Sequence, residues 1–288
     1  MLIKEALQTG RQFLTWHNIP SAHLDARVLL SHVTGLDYTA LLLQSRQPLT
    51  AEQQQQYRRL LDRRAYGEPV AYLTGHKEFM GLDFIVTPAV LIPRPDTELL
   101  AETALAHLRQ QPGPLAADVG TGSGAIAVSL ACLLPGLRLW AVDLSAEALA
   151  VARQNAQLHR VDHRITFLQG NLLAPLPPSL QGRLDVIAAN LPYIPSGEID
   201  GLMPDVKDYE PHLALDGGLD GLDLYRRLVP AAHRFLKPGG LLLMEIGPGQ
   251  GEAACQMLPP EDWQAEVKHD LAGRRRLVTA RKITRAQK

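Results

Sequence analysis

The chain has 288 residues, enough for one large domain or two smaller ones, and 46% of them are hydrophobic, ample for a packed core. Its net charge of −1 lacks the basic excess usual in a protein that works on duplex DNA. Two widely separated cysteines, Cys132 and Cys255, exclude a disulfide framework; no apolar run of about 18 residues offers a membrane span, and the N-terminus enters a helical pattern rather than a signal peptide, so a cytoplasmic protein free of membranes is expected.

Residues 1–75 read as a helical domain. Ile3, Leu7, Gly10 and Leu14 share one helical face. A second helix begins after Ser21, a candidate cap, with Ala22, Ala26, Leu29, Leu30 and Val33 inward and Gly35 at its end. Thr50 and Gln53 form a capping box ahead of Tyr57, Leu60 and Leu61, and Gly67 with Pro69 stops that helix. Arg58, Arg59, Arg63 and Arg64 form either a solvated helix face or a docking surface for an acidic partner such as RNA. Residues 76–92 alternate about Met80-Gly81 as a linker hairpin. Two prolines then hold residues 91–96 extended, Thr97 or Asp96 can cap the following helix, and Arg94 with Glu98 reads as a charged pair near the site or on the surface.

Residues 93–288 form the second domain, and from about 115 strands alternate with helices, the mark of a parallel sheet covered on both faces. Strands are expected at 115–119, 137–142, 165–168, 184–189 and 241–246, with a closing pair at 264–269 and 276–281. Helices are expected at 125–134, 146–159 and 222–235. The connection 194–223 is much longer than usual. It carries Glu198, Asp200, Asp205, Asp208, Glu210, Asp216, Asp220 and Asp223 against Lys207 alone, a balance that repels phosphate and favours a basic polypeptide.

Chemistry-bearing residues collect at the carboxyl ends of the strands, the edge where open α/β sheets bind ligands. Gly120-Thr121-Gly122-Ser123-Gly124 lets backbone approach a ligand, and Asp143 at the end of the second strand can take the two ribose hydroxyls of an adenosine. The glycine turn also fits the dinucleotide fingerprint, which leaves a nicotinamide-dependent oxidoreductase open. After the fourth strand stands Asn190-Leu191-Pro192-Tyr193. Asn190 offers an acceptor oxygen, Pro192 forces Leu191 into extended backbone with its carbonyl pointing outward, and Tyr193 offers a flat face. Together they would grip a planar –NH2 group with its lone pair facing forward. A plain strand-to-loop turn would use the same residues. His159 and His163 are read as surface residues, without metal-ligand spacing.

The pattern resembles the class I S-adenosylmethionine-dependent methyltransferases, in Asp118 before the glycine turn, Asp143, the Asn-x-Pro-Tyr loop and the closing strand pair. Within them the whole chain resembles the protein-(glutamine-N5) methyltransferases that modify peptide chain release factors. The match runs through Ile92–Glu98, Asp118–Ala127, Tyr209–Leu222, Lys237–Gly240, Glu245–Gly247, and Asp270 with Gly273–Arg276. The resemblance implies a Rossmann-like, mostly parallel seven-stranded sheet with an antiparallel last strand, plus a small N-terminal helical domain that docks substrate. It implies S-adenosylmethionine bound by Gly120, Thr121, Gly122, Ser123, Gly124, Asp143, Leu172 and Asn190, with S-adenosylhomocysteine released. The substrate would be the glutamine of the Gly-Gly-Gln loop of class I release factors, gripped by Asn190, Leu191, Pro192 and Tyr193, with Asn190 and Tyr193 catalytic and the enzyme a monomer. Two positions depart from the family pattern. Leu191 stands where proline is usual, but there only the backbone carbonyl is used, so activity is expected to survive. Leu172 stands where relatives can carry an aromatic, so it can touch an adenine but not stack on it. The competing readings are an adenine-N6 or cytosine-N4 DNA methyltransferase, which would flip its base into a basic cleft, and a non-catalytic module that binds release factors or ribosomes.

Overall fold

A computed structural model describes residues 1–284, which divide into two compact units. The first comprises Met1–His76 together with Met203–Tyr209. It contains α1 (Ile3–Trp16), α2 (Ala22–Thr34), α3 (Tyr38–Leu43), α4 (Ala51–Ala65) and α5 (Val70–Thr74). The apolar faces read from the sequence meet in one core that includes Ile3, Leu14, Leu29, Leu30, Tyr57 and Leu61. Gly10 makes this possible: a Cβ there would lie 2.1 Å from the Tyr57 hydroxyl, which itself reaches the Ala26 carbonyl at 3.0 Å. The Thr50–Gln53 capping box is formed, with both reciprocal bonds near 3 Å.

Two expectations in this unit are corrected. Ser21 does not cap α2; its hydroxyl donates instead to the Asp25 carboxylate at 2.7 Å. The arginine cluster is not one surface. Arg64 is buried and its Nε meets Asp25 Oδ2 at 2.7 Å, with further bonds to the Gly67 and Glu68 carbonyls, while Arg63 pairs with Glu68. Burying Asp25 required a partner, and the helix supplied one. The short α3 and α5 carry too few turns to register as a period in the sequence.

The second unit holds Lys77–Leu202 and the chain from Glu210 onward. The hairpin β1 (His76–Phe79) and β2 (Leu82–Ile85) is no free linker: Phe79 and Phe84 are buried in this unit's core. Glu98 does not pair with Arg94. It accepts the Met80 N–H at 2.8 Å and so holds the hairpin turn, where Met80 takes a left-handed φ of 53°. Then follow α6 (Glu98–Leu108), β3 (Leu115–Val119), α7 (Ala125–Leu133), β4 (Arg138–Asp143), α8 (Ala146–Leu158), β5 (Ile165–Gln169) and β6 (Leu184–Ala189). The connection from β6 to α10 (Asp223–Phe235) is split between the units. Its middle, with α9 (Pro204–Lys207), belongs to the first unit, where the Tyr209 hydroxyl donates to the Tyr66 carbonyl at 3.0 Å. The chain closes with β7 (Leu236–Glu245), α11 (Gly251–Gln256), β8 (Trp263–His269) and β9 (Arg275–Lys282).

The seven strands run in the order β5-β4-β3-β6-β7-β9-β8. β3 to β7 pair in parallel, while β9 is antiparallel to both β7 and β8. Every residue of β6 is buried, as a strand covered on both faces requires. The chain leaves β3 toward β4 on one side and returns to β6 on the other, so the sheet has its switch point at β3, where a crevice opens at the carboxyl ends.

Candidate active site

Register brings the two motifs together. Val119 pairs with Val142 on one side and Ala189 on the other, so the residues that follow, Gly120, Asp143 and Asn190, emerge side by side from adjacent strands. A cavity of about 500 Å³ opens there. It is lined by Gly120–Ser123, Asp143, Leu172, Asn190, Leu191 and Pro192, by the 88–94 segment with Thr97, and by residues 211–214 with Leu224 and Arg227 of α10.

The glycine turn is shaped by backbone need. Gly120, Gly122 and Gly124 all have positive φ, 73°, 55° and 79°, a region that L side chains avoid. A Cβ on Gly120 would come within 2.9 Å of Leu191 Cδ2, whereas one on Gly122 would meet nothing within 4 Å and faces open space. The Thr121 hydroxyl donates to Asp118 Oδ2 at 2.6 Å. Asp118 is fully buried, and burial pushes its pKa up to about 7. Asn155, also fully buried, donates to the Ser123 and Ile85 carbonyls, both at 2.9 Å, and so ties the turn to the β1–β2 hairpin.

Asp143 accepts the Gly122 N–H and the Ser145 N–H, each at 2.9 Å. Burial raises its pKa, and those backbone bonds work against the rise. Carboxylate oxygens have about four lone-pair sites, so two remain for a diol. With the apolar Leu144 and Leu172 in the same wall, the donor set fits a nucleoside. Leu172 holds a left-handed φ of 52°, unusual for a bulky side chain, with the residue at the cavity wall.

The four residues after β6 are held from behind. The Asn190 amide donates through Nδ2 to Thr97 Oγ1 at 3.0 Å. The Leu191 N–H donates at 3.2 Å to the hydroxyl of Tyr225, a fully buried residue of α10 that itself donates to the Glu245 carbonyl. Gln250 donates to the Tyr193 carbonyl at 2.8 Å. Leu191, only 4% exposed, packs its side chain on Gly120, so the residue that replaces the family's proline joins the acceptor loop to the glycine turn. The structure thus brings Asn190, Leu191 and Pro192 to the cavity. Tyr193 is not part of the cavity wall: its ring packs beside the Gly247 backbone, and burial together with the nearby Glu245 charge pushes its pKa up to about 12.

Sequence reasoning missed several members. Thr97 was read as a helix cap, but its side chain caps nothing and is buried under Asn190. Arg94, expected near the site, does line the cavity, but its partner is Glu210 rather than Glu98. Tyr225 sits on an ordinary apolar helix face and gave no signal, whereas Glu245, an ionisable residue closing an apolar strand, could have been flagged. The acidic connection is partly neutralised within the unit: Asp220 and Asp223 pair with Arg226, and Asp216 accepts from Ser196. His159 is a surface residue bound to the Asp83 carbonyl, and no group of metal ligands occurs among the described residues. None of the described helices is long and apolar enough to cross a membrane.

Fold and cavity define a methyltransferase: the family profile described as a methyltransferase domain matches residues 116–271. Solved structures agree in fold, a methyltransferase from Pyrococcus furiosus with a TM-score of 0.51 at 18% identity over 72% of this chain and 92% of that one. The ribosomal protein L11 methylase from Lactobacillus delbrueckii gives 0.50 at 21% over 69% and 84%. A second profile, the PrmC N-terminal domain, matches residues 5–75. The release factor glutamine methyltransferase of Moorella thermoacetica is 45% identical over 97% of this chain and 98% of its own. The protein of the same name from Geobacter sulfurreducens is 44% identical over 88% and 87%. The chain belongs to the release factor glutamine methyltransferase family.

Proposed function

We propose that the chain transfers a methyl group from S-adenosylmethionine to the side-chain nitrogen of the glutamine in the Gly-Gly-Gln motif of class I peptide chain release factors. The observation that carries this reading is the register that sets Asn190 and Leu191 beside Gly120, in a chain whose near-full-length relatives bear that family name. The bound donor supplies a methyl on a positively charged sulfur, already a strong electrophile. Gly120–Gly124 approach it with bare backbone and Asp143 takes its ribose hydroxyls.

A glutamine amide is a poor nucleophile, because its lone pair is delocalised into the carbonyl. Asn190 Oδ1 and the Leu191 carbonyl accept hydrogen bonds from the –NH2 group, fix its plane and localise the lone pair toward the methyl. Positioning and preorganised acceptors therefore supply most of the rate. The amide proton leaves to water after transfer, and no strong base is required. Tyr193 packs on the amide plane, its carbonyl held by Gln250 and its ring edge beside Gly247. The helical unit docks the release factor.

The same tetrapeptide would suit an exocyclic base –NH2, but relatives named for release factors and a net charge of −1 do not favour a DNA substrate. The deciding experiment offers labelled S-adenosylmethionine with a release factor, its Gly-Gly-Ala variant and unmethylated DNA. Label on the wild-type factor alone is expected, and Asn190→Ala should abolish it. Label on DNA, or normal turnover by Asn190→Ala, overturns the reading.

A further inference from the structure

The Asn190–Tyr193 loop is held at its first two residues by Thr97 and Tyr225. Its far end rests on another element. Gln250 stands immediately before α11, in the turn that follows β7. Its side-chain amide makes three hydrogen bonds. Nε2 donates to the Tyr193 carbonyl at 2.8 Å and to the Asp220 carbonyl at 3.0 Å, and Oε1 accepts the Gly247 N–H at 2.8 Å. Both N–H groups of the amide are therefore used. A reversed amide would set its oxygen against two carbonyl oxygens and its NH2 against an N–H, so the network permits one orientation.

The surroundings of this amide leave no room for side chains. Gly221 has a φ of 78°, and a Cβ on it would collide with the Tyr193 carbonyl and with Gln250 Nε2. A Cβ on Gly217 would lie 2.6 Å from the Pro192 carbonyl oxygen. Gly217 is not left-handed, so close approach rather than conformation demands glycine there. Backbone bonds seal the contact: Gly217 N–H donates to the Ile194 carbonyl at 2.9 Å, and Ile194 N–H donates to the Leu215 carbonyl at 3.2 Å. Gly247 completes the set, since a Cβ on it would come within 3.1 Å of Tyr193 Cδ2. One amide thus holds Tyr193 by its carbonyl and also holds the backbone against which the Tyr193 ring lies.

We propose that Gln250 is a positioning residue that clamps the Tyr193 end of the acceptor tetrapeptide to the 217–221 glycine loop and to Gly247, and so fixes the plane of the Tyr193 ring for the reaction. This rests on the proposed function, in which the tetrapeptide receives the glutamine amide. Gln250 is not part of the cavity wall; it acts through Tyr193. The clamp also gives the Asp216–Gly221 segment a role: its glycines let the loop before α10 close on the carbonyls of Pro192 and Tyr193.

The test compares Gln250→Glu, which keeps the acceptor for Gly247 but sets a carboxylate against two carbonyls, with Gln250→Met, which keeps the length and loses every bond. Each is expected to lower kcat about 10–100-fold, with KM for the release factor and affinity for S-adenosylmethionine within about threefold of wild type. Gln250→Met carries no charge, so it keeps the test open should the carboxylate unfold the loop. A second readout needs no turnover. In nuclear magnetic resonance of the free protein, the Gly247 N–H should exchange slowly in wild type and Gln250→Glu, and fast in Gln250→Met. A lowered kcat in Gln250→Glu with Gly247 still protected then assigns the effect to the lost donors. Wild-type kcat in Gln250→Met, a loss confined to KM, a parallel loss of donor binding, or a fast-exchanging Gly247 N–H in wild type each overturn the clamp. A wild-type protein that shows the protection but transfers no methyl to release factor would instead sink the proposed function, so the two failures are distinguishable.

Discussion

Tyr225→Phe removes a single oxygen from a site where nothing else changes shape. Tyr225 is fully buried in α10, and its hydroxyl joins three backbone groups at the base of the acceptor loop. It accepts the Leu191 N–H at 3.2 Å, donates to the Glu245 carbonyl, and lies 3.3 Å from the Ala189 carbonyl. Phenylalanine fills nearly the same volume, so no cavity opens, but the Leu191 N–H is left buried without a partner. An orphaned buried donor costs about 1–3 kcal/mol. Taking about 2 kcal/mol, Tm should fall by about 4–8 °C for a domain of roughly 200 residues. The same bond fixes the peptide that precedes the Leu191 carbonyl. If about 1.4 kcal/mol of the loss is felt at the transition state, kcat drops about tenfold while donor affinity holds. Scanning calorimetry, binding calorimetry with S-adenosylmethionine and methyl transfer to a release factor read the three quantities separately. A variant that melts and turns over like wild type would refute the claim that this hydroxyl holds the loop. A loss of donor binding would place the effect in the glycine turn instead.

Other perturbations follow from the same geometry. Asp143→Ala should weaken S-adenosylmethionine binding by about 10–100-fold in calorimetry, since a carboxylate taking two hydroxyls makes charge-assisted bonds. Because burial holds the Asp143 pKa above the ordinary value, wild-type donor affinity should begin to fall at a higher pH than an exposed aspartate would allow. Asp118 and Glu245 are both pushed up to about 7 by burial. Their folded-state values exceed the unfolded ones, so their stabilising contribution is present at acid pH and is lost as pH rises through about 7. Wild type should therefore melt higher at about pH 5.5 than at about pH 8.5, and Asp118→Asn and Glu245→Gln should each flatten that difference. Arg64→Met leaves Asp25 charged and buried, and should destabilise the helical unit by about 3–5 kcal/mol, read as faster amide exchange in residues 1–76 of the full chain. Adding Asp25→Leu should recover much of the loss, and no recovery would argue against the pair.

Much of this molecule was legible before any coordinates. Strands buried on both faces read as apolar runs, and β6 runs from Leu184 to Ala189, the span its sequence sets out between turn residues. The glycine turn and Asp143 follow from backbone freedom and charge, local properties that the chain carries wherever it folds. Asn190 was marked by its own chemistry and by the proline two residues on.

The tertiary structure decided what those residues lean on. Ser21 and Thr97 both look like caps, because a hydroxyl ahead of a helix usually is one, yet each is drawn to a carboxylate or amide distant in the fold or one turn along the helix. Arg64 stands in a row of surface arginines and is buried, since Asp25 lies across from it on another helix. Tyr193 offers a flat face to any reader of the sequence, but Gly247 leaves room for its ring and Glu245 lies close beside it, at distances of more than 50 residues along the chain. Sequence periodicity reports which face of an element is apolar; it carries no record of which polar group waits on the other side. The register of β3 against β4 and β6 settles that, because one residue of slip would turn every side chain to the opposite face. The residues proposed to do the chemistry were therefore visible in the sequence, and those that hold them in place were not.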